Sequence, residues 1–273
     1  MTATSFFTRR DFKGDDDHRP PLPPEISNGE TSYFGQITFT NIGRSVAQNL
    51  LPGALRLAEN IHPTLRNEHP IVHMLGKQAH PSWRTKDKID FGNDYAEFIL
   101  FIPFVQNPAS PQWYNYVARM YLGDVRAIEI GALFGYRKRP AIVRTVQMGF
   151  EVDVTDLESG ERKRAFQSRT ERHGNWSSNH DAESLLPQYS ELKAILAMPF
   201  LGVDPMARVA LGSYFELRFD DAQVAPISSK HQYSPAFEPP GLAGRVYESV
   251  PEGAIDLQNL PWRISYPPAK LSW

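Results

Sequence analysis

The sequence predicts a mainly β fold, α+β in class, with a few short helices, and three observations carry that expectation. Its 23 prolines and 18 glycines interrupt any long helix and supply frequent turns. Aromatic residues make up 12% of the chain, a composition suited to many short strands. Several runs alternate apolar and polar residues, among them YFGQITFTNI from Tyr33 onward. MGFEVDVTD and RKRAFQSR also alternate and flank LESGE, which together predict a hairpin.

Residues 1–30 read as an extended arm: charges, then PPLPP, then a turn-like SNGE. Such an arm packs on its own protein more often than it serves as a ligand for a proline-binding groove. Residues 31–273 show no internal repeat and no linker, so they are expected to form a single domain. After the strand at Tyr33, Ser45 is placed to cap a short helix, VAQNLL, ended by Pro52 and Gly53. Residues 61–90 are loop-like around one expected strand, PIVHML, and residues 94–105, DYAEFILFIPFV, are the most apolar stretch. That stretch is too short to cross a membrane and reads as a buried strand with Glu97 at its mouth. A carboxylate there is costly unless paired, hydrogen-bonded or functional. Farther on, residues 171–187 read as a polar loop, and ELKAILAMPFLG and ARVALGSYFELRFDDAQVAP as further strands.

Composition excludes several kinds of chemistry. With a net charge of -2, the chain has no global field to recruit nucleic acid or a membrane surface. Its three basic clusters, Arg9-Arg10, Arg137 to Arg139 and Arg162 to Arg164, are short and scattered. The absence of cysteine removes disulfides, thiolate metal sites and a cysteine nucleophile. The first 25 residues hold no apolar core of signal-peptide length, so a cytoplasmic location is expected. His62, His69, His73 and His80 cluster in sequence, and His69 and His73 would share a strand face. They lack a compact zinc-ligand motif, and loop histidines are the better account. No Gly-rich phosphate loop and no Gly-x-Ser-x-Gly elbow occurs.

The chemistry concentrates in residues 113–141, WYNYVARMYLGDVRAIEIGALFGYRKRPA. A tight cationic run, Arg137-Lys138-Arg139, sits between segments that read as buried, so at least one cation is expected to point inward. A lysine in an apolar pocket beside a second fixed charge loses proton affinity, through desolvation and like-charge repulsion. The neutral amine attacks ketones and forms Schiff bases. Arg139 cannot take that role, because a guanidinium stays protonated, but it can supply the second charge. Tyr121, Phe134 and Tyr136 are candidates to wall the pocket and exclude water.

MYLGDVRAI followed by GALFGYRKRPA resembles the acetoacetate decarboxylase family, whose namesake is the standing example of a lysine activated by a cationic neighbour. The order of elements is similar over roughly residues 33–267. The resemblance implies a closed, mostly antiparallel β-barrel with a few helices, assembled as a homo-oligomer and needing no metal or organic cofactor. It places Lys138 on the Schiff-base lysine, Arg139 on its cationic neighbour and Glu97 on a glutamate near the lysine. His73, Met120, Tyr121, Phe134 and Tyr136 become the substrate-binding candidates. Departures are clear as well. The family's Gly-Arg-Glu segment reads Gly131-Ala132-Leu133, one residue shorter, and Arg137 stands where proline is usual. Tyr33 falls where a first-strand arginine meets the acidic substrate, and His73 falls near a second glutamate. Lost polar complements change specificity severely. Three readings follow: decarboxylation of a β-keto acid through an imine on Lys138, an aldol, dehydration or cyclisation reaction through the same imine, or a barrel that binds a small carbonyl compound without turnover.

Overall fold

The computed structural model describes residues 27–59, 61, 67–85, 89–108, 110–204, 209–250 and 253–271. Most of the expected arm, with PPLPP, and His62 therefore lie outside the described residues. The first strands are β1 (Ser27–Gly43), β2 (Arg56–Leu57), β3 (Glu68–Thr85), β4 (Ile89–Phe91), β5 (Tyr95–Gln106) and β6 (Trp113–Leu122). The middle of the chain gives β7 (Lys138–Pro140), β8 (Ile142–Val146), β9 (Gly149–Thr155), β10 (Arg162–Arg172), β11 (Ser177–Ser178) and β12 (Phe200–Asp204). The last are β13 (Val209–Ser213), β14 (Phe215–Leu217), β15 (Gln223–Tyr233), β16 (Val246–Glu248), β17 (Ala254–Tyr266) and β18 (Ala269–Leu271). Among the described residues four α-helices interrupt them: α1 (Arg44–Asn49), α2 (Val125–Ala132), α3 (Asn179–Leu185) and α4 (Pro187–Ala197).

The mainly β fold is as expected. One antiparallel run passes through β6, β5, β3, β1, β17, β15, β10, β9 and β8. Among the described residues the strand pairings do not by themselves show the expected closed barrel. The outer edge of β6 pairs in parallel with two short strands, β7 and β12. β7 runs on through Ala141, whose amide donates to the Leu122 carbonyl, into β8.

Local departures have identifiable causes. Ser27 to Glu30, expected as a turn, pair on both sides with β17 and β3. Likewise β3 extends far beyond PIVHML, because β1 and β5 bond both of its edges and outweigh the weak local pattern. Gly43, not Ser45, occupies the N-cap of α1. ELKAILA is helical rather than extended: Pro187 starts α4, and Leu192, Ile195 and Leu196 are buried at helical spacing. The DYAEFILFIPFV strand and the hairpin of β9 and β10 are as expected.

Alternation along β5 divides the interior in two. Phe98, Leu100 and Ile102 face one core, while Glu97, Ile99 and Phe101 face the other. The first core is a cluster of rings in which Phe98 lies 4.7 Å from Phe166, and Tyr233 lies 4.6 Å from Phe237. His73 belongs here and not to a substrate pocket. It is fully buried, stacked at 4.2 Å on His231 and hydrogen-bonded to the Tyr233 hydroxyl. His69, equally buried, donates from Nε2 to the Pro103 carbonyl at 2.8 Å. Neither is a loop histidine, since both lie within β3.

Burial keeps these imidazoles neutral, lowering His73 to about 3 and His69 to about 4, the latter against its bond to Pro103. His231 is also pushed down, by burial and then by its His73 neighbour. In the unfolded chain each binds a proton near pH 6.5, so their neutral burial costs nothing above that value. Stability falls as the pH drops below it towards 3–4. The expected loss is roughly 1 kcal/mol per histidine for each pH unit in that window. Urea midpoints measured at pH 7.5 and pH 5 check this, and equal midpoints would contradict it.

Candidate active site

The second core surrounds a cavity of about 170 Å³ whose wall includes residues from β1, β3, β5, β6, α2, β7 and β17. The stretch from β6 to β7 builds its floor. Asp124 caps α2 by accepting from the Ala127 amide at 2.7 Å. After the helix, Gly135 adopts a left-handed conformation (φ 71°) against the backbone of Gly202 and Val203, where a side chain would collide. The chain then reverses into β7, which runs parallel to β6 and pairs Lys138 with Met120. Both side chains line the cavity.

Lys138 reaches the cavity by crossing Gly131. A Cβ at that position would lie 2.7 Å from Lys138 Nζ and closer still to Cδ and Cε. The amine donates to the Ala127 carbonyl at 2.7 Å, which fixes its end against the first turn of α2. Gly131 is thus a packing gap shaped to the lysine stem.

Electrostatics place the lysine in tension. Burial lowers its proton affinity, while the carboxylates of Glu97 and Asp124 raise it, with a net downward shift. Burial conversely pushes Glu97 up, against the Lys138 charge and a hydrogen bond from Gln78. Both shifts favour passing the proton from amine to carboxylate, leaving a neutral nucleophile. The orientation of Glu97 is set by a relay: the Trp262 indole donates to Gln78 Oε1 at 3.0 Å, and Gln78 Nε2 donates to Glu97 Oε1. Because an indole N–H can only donate, it fixes which way the Gln78 amide faces. Gln78→Leu is therefore expected to raise the Glu97 pKa further and to slow turnover about 10-fold, the cost of one hydrogen bond to a charged group. A pH–rate profile checks this, and an unmoved acidic limb would count against the relay.

Five of the eight residues expected at the site line the cavity: Lys138, Glu97, Met120, Phe134 and Tyr136. Three do not. Arg139 follows Lys138 on the same strand and points to the opposite face, where it pairs with Glu238, which Arg119 also meets at 2.9 Å. It is not the cationic neighbour of the lysine; burial takes that part. Tyr121 is turned away from Met120 by the same alternation and hydrogen-bonds to the Glu238 backbone. His73 faces the ring cluster, while its neighbour Met74 faces the cavity. Gln78, Asp124, Gly131 and Trp262 were missed. Asp124 carried a readable signal, an acidic residue preceding a helical run; Trp262 is too distant in sequence to have given one.

No protein-family model matches the sequence, and no curated protein is found similar to it. Solved structures do match across nearly the whole chain. An acetoacetate decarboxylase-like enzyme from Sphingomonas wittichii RW1 superposes with a TM-score of 0.57 at 12% identity, covering 92% of this chain and 95% of the other. Acetoacetate decarboxylase from Legionella pneumophila gives 0.56 at 11% identity, with 94% of each chain covered. The chain has the acetoacetate decarboxylase-like fold. The enduracididine biosynthesis enzyme MppR, complexed with the condensation product of pyruvate and imidazole 4-carboxaldehyde, shares it (TM-score 0.53, 10% identity, 92% and 91% coverage). Within this acetoacetate decarboxylase-like fold, no helix among the described residues is long and apolar enough to cross a membrane.

Proposed function

We propose that the protein is a Schiff-base-forming enzyme that acts on a carbonyl compound through Lys138. The observation that carries this reading is the Lys138 amine, led across Gly131 into an apolar cavity where burial lowers its proton affinity beside Glu97. The neutral amine adds to the carbonyl carbon, and the carbinolamine loses water to give an iminium. That cation withdraws electrons from a neighbouring bond. In a β-keto acid it would take the pair left by departing carbon dioxide. With a proton on the adjacent carbon, Glu97 removes it and an enamine results. The enamine adds to a second carbonyl, or expels a β-hydroxyl group as water.

The proton-transfer outcome, leading to condensation or dehydration, is favoured by one observation. Glu97 and Asp124 raise the proton affinity of the amine, whereas Arg139 lies outside the cavity and pairs with Glu238. Solved structures with this fold include both a decarboxylase and MppR, so the scaffold accommodates either outcome. In ¹⁸O-labelled water the enzyme is expected to exchange the carbonyl oxygen of its substrate through the imine, and the Lys138→Met variant not to. Binding without any exchange would favour a non-catalytic carbonyl-binding protein. Products then separate the two outcomes: released carbon dioxide against a condensed or dehydrated carbon skeleton.

A further inference from the structure

We infer that the substrate carbonyl belongs to a neutral, largely apolar aldehyde or ketone, and not to a short keto acid. The inference rests on the Schiff-base reading and adds the substrate class.

Charge around the amine is the first ground. Besides Lys138 and the phenols of Tyr95 and Tyr136, the ionisable side chains lining the cavity among the described residues are Glu30, Asp90, Glu97, Asp124 and Arg126. Four are carboxyl groups, and the one guanidinium, on α2, is solvent-exposed. A carboxylate one or two carbons from the reacting carbonyl would sit beside Lys138, within the field of Glu97 and Asp124. Among the described residues no buried cation of the cavity would meet it once the lysine is committed to the imine. β1 contributes Gly29, Glu30 and Thr31 to the wall, none of them a cation.

The second ground is the wall itself. Trp83, Phe134, Phe200, Phe215, Trp262 and Ile264 form a continuous apolar surface. Phe215 packs edge-on against Trp262 at 4.9 Å and against Phe200 at 4.8 Å, and Trp83 meets Phe134 at 6.3 Å. Gly29 is shaped to this surface, because a Cβ there would lie 2.8 Å from the Trp83 ring. Size is the third ground. One water takes about 10–15 Å³ of such space, so 170 Å³ holds a ligand of on the order of ten heavy atoms or more. A three- or four-carbon keto acid would leave much of the apolar wall uncovered.

With such a substrate the imine step balances without loss of carbon. Amine and carbonyl combine with release of water, and Glu97 takes the α-proton to give the enamine. The enamine carbon then adds to the carbonyl carbon of a second aldehyde or ketone, whose oxygen receives the proton from Glu97; in a β-hydroxy substrate the C–O bond breaks instead and the hydroxyl leaves as water with that proton. Hydrolysis of the iminium releases the product and the amine. Calorimetric titration with 2-nonanone and 3-phenylpropanal, against pyruvate and acetoacetate, tests the substrate class. Each ligand is also treated with cyanoborohydride, followed by peptide mapping. The neutral carbonyls are expected to bind roughly tenfold or more tightly than the keto acids, and to label Lys138. Lys138→Met should still bind them and show no adduct at that position. Keto acids binding equally well or better would overturn the substrate class, while their adducts on Lys138 would leave the imine reading standing. Preferential binding of the neutral carbonyls with no adduct at Lys138 would overturn the imine reading and this inference with it.

Discussion

Lys138→Met is expected to abolish imine formation and to lower turnover by on the order of 10⁴-fold or more, with the fold retained. Methionine keeps a flexible apolar stem over Gly131 and removes only the nucleophile. The variant should unfold at or above the wild-type temperature, because the desolvation that holds down the lysine's proton affinity disappears with the amine. Lys138→Arg restores a cation without a nucleophile and should be equally inactive. Steady-state rates and thermal unfolding measured together separate the chemical loss from a structural one. Turnover within tenfold of wild type in either variant would remove Lys138 from the chemistry.

Gly131→Ala carries the second large effect, and its sign opposes ordinary helix propensity. In most helices this change stabilises by about 0.5–1 kcal/mol. Here the added methyl group occupies the path of the lysine stem, within 2.7 Å of where Nζ now lies. The obstructed atoms belong to a flexible side chain, so the lysine yields before the backbone does. The amine then leaves its place at the Ala127 carbonyl. Displacements of about 1 Å at a reacting group cost on the order of 100-fold in rate. The expected variant is folded, near wild type in stability and about 100-fold slower, with a weaker adduct at Lys138. Unchanged turnover would show that the stem has another route to the cavity.

Much of this arrangement was legible before the structure. The apolar β5 run announced a buried strand, and a carboxylate at its mouth marked Glu97. The motif around Lys138 brought the lysine to the cavity with Met120, Phe134 and Tyr136. The misplacements share one cause. Lys138 and Arg139, and Met120 and Tyr121, are neighbours on strands, so they cannot face the same cavity. Once Lys138 was assigned inward, alternation alone turned Arg139 outward. The same shift of one residue separates His73 from Met74 on β3. Helix α4 was readable from Pro187 and the spacing of its leucines and isoleucine, although its apolar run also suits a strand. By contrast, the Trp262–Gln78–Glu97 relay joins β17, β3 and β5, and only long-range pairing brings it together.

Borohydride reduction of the enzyme incubated with a carbonyl substrate tests the central claim most directly, read by intact mass and peptide mapping across pH 5–9. A single adduct on Lys138, lost in Lys138→Met, is the predicted result. Because burial lowers the lysine's pKa, labelling should reach its plateau at a lower pH than an ordinary lysine requires. A folded protein that yields no adduct at Lys138 from any carbonyl across this range would contradict the account.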